Sequence, residues 1–159
     1  MTPRAAVLTV SDRASAGAMT DQSGPAVRRL LTEAGFEIGE VAVVPDDRDR
    51  IATFLRAACE GHHLVVTTGG TGLGPRDVTP EATRDLLDYE VPGLGELMRA
   101  AGLRSTPLAA LSRSLAGVRG RTLIVNLPGS VRGARESLEA ILPVLPHALQ
   151  LLGGEVSHG

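Results

Sequence analysis

The sequence predicts an α/β protein in which helices cover both faces of a mainly parallel β-sheet. Short apolar runs of strand length alternate with longer stretches whose apolar residues recur at helical spacing. Because parallel strands are joined through crossover helices, this alternation is typical of a parallel sheet. The 159 residues contain no internal repeat, low-complexity tract or linker, so we expect a single domain over residues 1–159.

The strands are predicted from apolar runs that end in polar or glycine-rich turns. RAAVLTV and LVVTT are nearly continuous apolar runs, as expected of strands that are buried on both faces. The segment before PDDRD instead alternates apolar and polar residues. The predicted strands are 4–10, 36–44, 64–68, 108–111, 115–118 and 122–126.

The helices are predicted from periodic apolar residues between start and stop signals. A long polar loop, residues 11–25, precedes the first helix. We expect Thr79 to cap the third helix and Gly102 to end the fourth. Pro143 and Pro146 must kink or split the last helix. The predicted helices are 26–34, 50–60, 79–88, 92–101 and a C-terminal helix that follows LPGS.

Composition excludes several classes of protein. The net charge is −2 and no basic stripe occurs, which argues against a nucleic-acid partner. The single cysteine excludes an internal disulfide and a multi-cysteine metal site. The four histidines (His62, His63, His147 and His158) form no i,i+4 pair with a supporting glutamate, which argues against zinc. No segment approaches the roughly 20 apolar residues of a membrane span. We therefore expect a soluble, cytoplasmic protein.

Polar residues follow four of the predicted strands. They form the segments SDR, PDD, TTGGTG and NLPGS. In open α/β sheets, ligands bind beyond the carboxyl ends of the strands. The convergence of these four segments is stronger evidence for a site than any single residue, because Ser11, Asp12 and Asn126 each have an ordinary structural role as an alternative.

The glycine-rich loop TTGGTGLGPRDVTP, residues 67–80, predicts an anion-binding site. Its spacing fits neither a P-loop nor a dinucleotide fingerprint, and the chain has no lysine for a P-loop. Glycine-rich turns can expose several backbone N–H groups to an anion, and Thr67, Thr68 and Thr71 could add hydroxyl donors. The helix after LPGS would offer its N-terminus, with Ser130 as cap. The alternative is that both loops are merely tight turns.

Two aspartates are candidate magnesium ligands. Asp77 follows the glycine-rich loop, and Asp46 follows the second strand. Mg²⁺ prefers one or two carboxylates together with phosphate oxygens. The structural alternatives are that Asp77 favours a helix N-terminus and that Asp46 lies in a solvated turn. Asp47 stays open as the second acid in place of Asp46.

The motifs together resemble one family. VSDRASAG, DQSGP, TTGGTGLGPRDVTPEAT, GELMR, LSRSLAGV and LIVNLPGS occur in one order across nearly the whole chain. This set is similar to the molybdopterin adenylyltransferase family (MogA and MoaB, related to the G domain of gephyrin), and its SDRASAG opening resembles MogA more than MoaB. The resemblance implies a three-layer α/β/α domain and a homotrimer.

The resemblance also implies a reaction. Molybdopterin and Mg-ATP would give adenylyl-molybdopterin and pyrophosphate, and the product would pass to a molybdate-inserting enzyme. Asp46 and Asp77 match catalytic positions and would hold Mg²⁺. The predicted substrate-binding residues are Ser11, Asp12, Thr68, Gly69, Gly70, Thr71, Gly72, Ser112, Asn126, Pro128, Gly129 and Ser130.

Such a transfer suits the residues, because a phosphate nucleophile is already ionised at neutral pH and needs no general base. Cations would have to offset the charge of two polyanions. The candidate anion contacts are Arg13, Arg76, Arg113 and Arg132, with surface ion pairs as the alternative.

The main alternative is a non-catalytic molybdopterin carrier or scaffold. Two acids in an anion pocket favour the enzyme, because they would repel the ligand unless a metal intervened. A nucleotide pyrophosphate hydrolase and a purely structural protein are weaker alternatives.

Overall fold

The computed structural model describes residues 2–154; residue 1 and residues 155–159, including His158, lie outside the described part. The strands are β1 (Arg4–Val10), β2 (Glu37–Val44), β3 (Leu64–Thr68), β4 (Tyr89–Glu90), β5 (Ala116–Arg119) and β6 (Thr122–Leu127). The helices are α1 (Asp12–Ser15), α2 (Ser23–Glu33), α3 (Arg48–Ala58), α4 (Thr79–Arg84), α5 (Pro92–Leu103), α6 (Val131–Ile141) and α7 (Leu145–Leu152). Pro107–Leu111 and Leu142–Val144 form 3-10 segments.

The sheet has the order β2-β1-β3-β6-β5-β4. Strands β2, β1, β3 and β6 are parallel, whereas β5 is antiparallel to both β6 and β4. The expectation of a mainly parallel sheet is confirmed. Because the four parallel strands run the same way, the polar segments that follow them meet at one edge of the sheet.

Two hydrophobic cores lie on opposite faces of the sheet. On one face, α2, α5, α6 and α7 pack against alternate strand residues such as Val7, Val66 and Val125. On the other face, α3 and α4 pack against the intervening residues, such as Leu8 and Ile124. Successive side chains of a strand point to opposite faces, so the strands fill both cores. The three-layer α/β/α architecture is thereby confirmed.

Some predicted elements are wrong. Residues 108–111 are not a strand but part of the 3-10 segment, because Pro107 starts a turn in which the Thr106 side chain accepts a bond from the Leu108 N–H. The loop at 11–25 contains α1 and the first turn of α2. Gly102 lies inside α5, which ends one residue later. Strand β4 has only two residues and was not predicted.

Thr79 is not a cap. It is the first residue of α4, and Val78 precedes it as N-cap without a side-chain bond. The last helix is split as expected: α6 ends before a 3-10 segment that contains Pro143, and α7 has Pro146 in its first turn. Within residues 2–154, no helix is long and apolar enough to cross a membrane.

Candidate active site

Two cavities open side by side at the carboxyl edge of the parallel strands. The α5-side cavity has a volume of about 490 Å³ and reaches to Met98 and Arg99 of α5. The α1-side cavity, of about 500 Å³, reaches to Asp12 and Arg13 of α1. They share a wall formed by Gly70, Asp77, Gly129 and Ser130.

The predicted site residues divide between the two cavities. Those in the α5-side cavity are Gly70, Thr71, Gly72, Asp77, Ser112, Pro128, Gly129 and Ser130. Those in the α1-side cavity are Ser11, Asp12, Asp46, Thr68, Gly69, Gly70, Asp77, Gly129 and Ser130. All four polar segments therefore contribute to one site.

The shared wall requires glycine. Gly69 and Gly70 have φ angles of 95° and 70°, in the left-handed region that disfavours other residues. A Cβ on Gly70 would lie 2.2 Å from Thr79 Oγ1, and a Cβ on Gly69 would lie 2.2 Å from the Val10 carbonyl oxygen. A Cβ on Gly129 would lie 3.2 Å from Gly69 Cα. The wall is thus a close approach of two main-chain segments.

Asp12 and Asp46 join the ends of β1 and β2. The Asp12 N–H donates to Asp46 Oδ2 at 3.0 Å, and the Asp46 N–H donates to Asp12 Oδ1 at 2.9 Å. Arg76 of the glycine-rich loop donates to both oxygens of Asp12 at 3.0 Å, and this hydrogen bonding lowers the pKa of Asp12. Asp46 therefore remains the less neutralised acid of the pair.

Asp46 and Asp77 fit a divalent cation. Burial raises the pKa of Asp46, and the nearby charges of Asp12 and Asp77 act in the same direction. Asp77 Oδ2 accepts a bond from the Gly74 N–H at 3.0 Å. A cation would relieve this concentration of negative charge. Among residues 2–154 no group of three or more acidic, histidine or cysteine side chains is arranged as a metal site, and two carboxylates alone would hold Mg²⁺ only together with oxygens from a substrate or water.

Two other candidates lie away from the cavities. Asp47 is exposed and caps α3, accepting a bond from the Arg50 N–H at 3.0 Å. Asn126 is fully buried in β6, where its amide donates to Thr67 Oγ1 and Thr83 Oγ1 at 3.0 Å. The geometry therefore favours Asp46 over Asp47, and it gives Asn126 contacts to β3 and α4 in place of a cavity position.

The four candidate arginines have different surroundings. Arg13 lines the α1-side cavity and has no ion-pair partner within residues 2–154. Arg132 lines the α5-side cavity and pairs with Glu136 at 3.0 Å. Arg76 is held by Asp12, and Arg113 donates to the glycine-rich loop itself.

Sequence reasoning missed several polar cavity residues, among them Asp21 and Arg99, which are charged and make bonds to neighbouring segments. Asp21 lines the α1-side cavity, accepting bonds from Thr9 Oγ1 at 2.8 Å and from the Gly24 N–H at 3.1 Å. Arg99 lines the α5-side cavity and donates to the Ser114 carbonyl oxygen at 2.7 Å. The DQSGP motif contains Asp21, and its polar character was the available signal. Arg99 ends the GELMR motif, but its place within an amphipathic helix gave no sign that its side chain lines a cavity.

Comparison with known proteins gives consistent matches over most of the chain. The profile of a family described as "Probable molybdopterin binding domain" matches residues 6–147. A molybdopterin adenylyltransferase of Helicobacter pylori is 45% identical over 152 residues, which are 93% of this chain and 86% of that protein.

Solved structures agree with the sequence matches. The molybdopterin biosynthesis enzyme MoaB of Thermus thermophilus is 60% identical with a TM-score of 0.90, and the match covers 96% of this chain and 97% of that one. A structure of MogA is 43% identical with a TM-score of 0.90, covering 94% and 99%. The structural relatives of this chain thus include both a MoaB and a MogA protein.

Proposed function

The chain belongs to this family of molybdopterin-binding domains, and on that premise we propose that it transfers an adenylyl group from Mg-ATP to molybdopterin and releases pyrophosphate. It is a nucleotidyltransferase of molybdenum cofactor biosynthesis, because it shares 45% sequence identity with a molybdopterin adenylyltransferase over 93% of its length. The meeting of two cavities at one wall is the observation that carries the proposal, because this reaction must bring two anionic substrates together.

In the proposed reaction, the terminal phosphate oxygen of molybdopterin bonds to the α-phosphorus of ATP, and the bond from that phosphorus to pyrophosphate breaks. No proton has to be removed from the nucleophile. We assign molybdopterin to the α5-side cavity, which has the apolar walls Met98, Leu108 and Leu111. The nucleotide would occupy the α1-side cavity, so that the reacting phosphates meet at the shared wall.

The residues of the wall would orient the phosphates. Backbone N–H groups of Gly70 and Gly129, and the N-terminus of α6 with its cap Ser130, offer donors and a positive dipole end. Asp46 and Asp77 would hold Mg²⁺, which when bound offsets the charge of the pyrophosphate leaving group. We also propose substrate-binding roles for Ser11, Asp12, Thr68 and Ser112, which their places in the two cavities support.

Three further parts of the proposal concern assembly, partner and location. We propose that the chain forms a homotrimer, that it passes its product to a molybdate-inserting enzyme, and that it works in the cytoplasm. The resemblance to the family supports the first two, and the composition of the sequence supports the third.

The decisive experiment incubates the purified protein with molybdopterin, Mg²⁺ and ATP labelled at the α-phosphate. We expect label on the pterin, and none when EDTA removes the metal. Tight molybdopterin binding without transfer would contradict the proposal and indicate a carrier. Omission of molybdopterin is the control for hydrolysis of ATP, which would release labelled AMP instead.

A further inference from the structure

Arg113 makes an unusual number of bonds to one distant segment. It follows the 3-10 segment, and about a third of its side chain is exposed (34%). Its backbone N–H donates to the Thr71 carbonyl oxygen at 2.8 Å. Its Nε donates to the Gly72 carbonyl oxygen at 2.9 Å, and its Nη2 donates to the Asp77 carbonyl oxygen at 2.9 Å. Its Nη1 pairs with the carboxylate of Glu81 in α4.

The planar guanidinium therefore joins Gly72 and Asp77 to Glu81 in the first turn of α4. The backbone N–H of the same residue holds Thr71, at the other end of the segment between Thr71 and Asp77. The middle of that segment is exposed, from Leu73 to Arg76, and it has no regular secondary structure to order it. Ordering such a segment costs conformational entropy for each residue. The fixed fork of an arginine can meet three acceptors in different directions, which the single ammonium of a lysine cannot reproduce.

The ion pair keeps this arrangement intact at neutral pH. Partial burial of Glu81 acts to raise its pKa, but the hydrogen bond and charge of Arg113 outweigh burial and lower the pKa. With its donors directed at protein acceptors, the Arg113 side chain faces the loop and not a substrate anion.

We propose that Arg113 is a positioning residue that holds the glycine-rich loop in shape, so that the Asp77 carboxylate and the amides of Gly70 and Gly72 are already placed when substrates bind. This inference rests on the proposed function for the role of Asp77, whereas the ordering of the loop does not depend on it. It replaces the expectation that Arg113 contacts an anion.

The first test measures amide hydrogen exchange in Arg113→Ala and Arg113→Lys, with Arg119→Ala as the matched control. Arg119 also donates to a carbonyl oxygen, that of Leu86 at 3.1 Å, which follows α4 and lies outside the loop. We expect at least ~10-fold faster exchange in peptides covering residues 69–79 of both Arg113 variants, an opening that local instability permits while the core stays protected. Wild-type exchange rates in those peptides would overturn the proposal. If the alanine variant does not fold, the exchange rates of the Arg113→Lys variant alone decide the test.

The second test asks whether Arg113 acts through Asp77. We expect Arg113→Lys to lower kcat by about 10–100-fold, the range for residues that orient a ligand-holding side chain, with a smaller change in KM. In an Asp77→Asn background the same substitution should lower kcat by less than about 3-fold, because coupled residues are not additive. A raised KM at constant kcat, or equal losses in both backgrounds, would overturn the positioning role. If the wild-type protein transfers no label, the proposed function fails, and the exchange measurement alone decides whether Arg113 orders the loop.

Discussion

Asp77 is a carboxylate that both cavities share, so it lies where the two substrates would meet. We expect Asp77→Asn to lower kcat on the order of 10²-fold, the size of loss typical when one group that offsets transition-state charge is removed. Binding of molybdopterin should persist, because the amide oxygen can still accept the bond from the Gly74 N–H.

Radiolabel transfer and equilibrium binding would measure the two effects separately. Asp88→Asn is a matched control, since Asp88 also accepts a bond from a glycine N–H, that of Gly120 at 2.7 Å, in a turn outside the site. Unchanged turnover in Asp77→Asn would remove this residue from the mechanism.

Asp46 gives a prediction with a pH dependence. Burial raises its pKa in the folded protein, so its contribution to folding stability is greatest below its unfolded pKa of about 3.9 and decreases as pH rises through the folded value. We therefore expect Asp46→Asn, measured in EDTA, to have a Tm at pH 7 equal to or above that of the wild type. The advantage should shrink as the pH falls toward the unfolded pKa, because protonation of the wild-type carboxyl then removes the buried charge.

The same variant should lose at least ~10-fold in activity, because a magnesium ligand is gone. Asp47→Asn is the control: asparagine also caps helices well, so its activity and Tm should match the wild type. Thermal unfolding and the label-transfer assay give both readouts. A lower Tm for Asp46→Asn at pH 7, or equal inactivation by the Asp47 change, would contradict this assignment.

At the residue scale, sequence patterns predicted residues that the structure brings together at two adjoining cavities, but not the direction of each side chain. Asp46 and Asp47 are indistinguishable in PDD, because only the turn into α3 decides which one caps the helix. Asn126 reads as a residue at a strand end, yet β6 continues to Leu127 and keeps Asn126 inside the sheet. Arg113 finds its acceptors 36 and 41 positions away in the chain, a distance over which spacing carries no information.

The N-terminus of α6 belongs to both the fold and the site. Ser130 Oγ accepts a bond from the Gly133 N–H at 3.0 Å and lines both cavities. Ser130→Ala should cost about 1 kcal/mol, the usual loss for a helix cap, and lower Tm by roughly 2–4 °C. Ser130→Asn should restore the Tm.

Ser130→Asp separates the two roles. Aspartate also caps the helix, so Tm should recover, but its charge on the shared wall should raise the KM for ATP or molybdopterin. Calorimetry and steady-state kinetics measure these effects. Full activity in Ser130→Asp would show that no substrate phosphate approaches this helix end.

At the element scale, long continuous apolar runs predicted strands correctly, whereas a short apolar run did not. The continuous runs that became β1 and β3 were predicted with their observed bounds, because only a fully buried strand suits so many apolar residues. The short run at 108–111 is equally compatible with a strand and a helical turn. Its 3-10 form depends on Thr106 and Pro107, local signals that outweigh an apolar run of four residues.

For the whole molecule, we expect sedimentation to give a mass near three times the chain mass of 16.5 kDa. Large apolar side chains remain exposed on α5 and the 3-10 segment, among them Leu103 at 50% and Leu108 at 70%. Burial of such groups stabilises association. When sedimentation is repeated over a series of protein dilutions, the trimer should be lost only at low concentration. A monomer mass at every concentration would refute the assembly.

The mainly parallel sheet with helices on both faces was predictable because the rules that connect parallel strands are general. Strand and helix alternation led to a parallel arrangement, and the parallel arrangement led to the site edge. The antiparallel pairing of β5 and β4 at the far edge was not predictable, because β4 is two residues long and is defined by its partner more than by its own sequence.

The glycine wall between the cavities has a consequence for how the site tolerates change. Part of its surface is main chain, contributed by Gly70 and Gly129, where an added Cβ would meet neighbouring atoms at close range. An inhibitor anchored on the N–H groups of these two residues would contact groups that every amino acid except proline carries. Point mutation could then alter its binding only by distorting the loop, which would also impair the enzyme, so few routes to resistance would remain open.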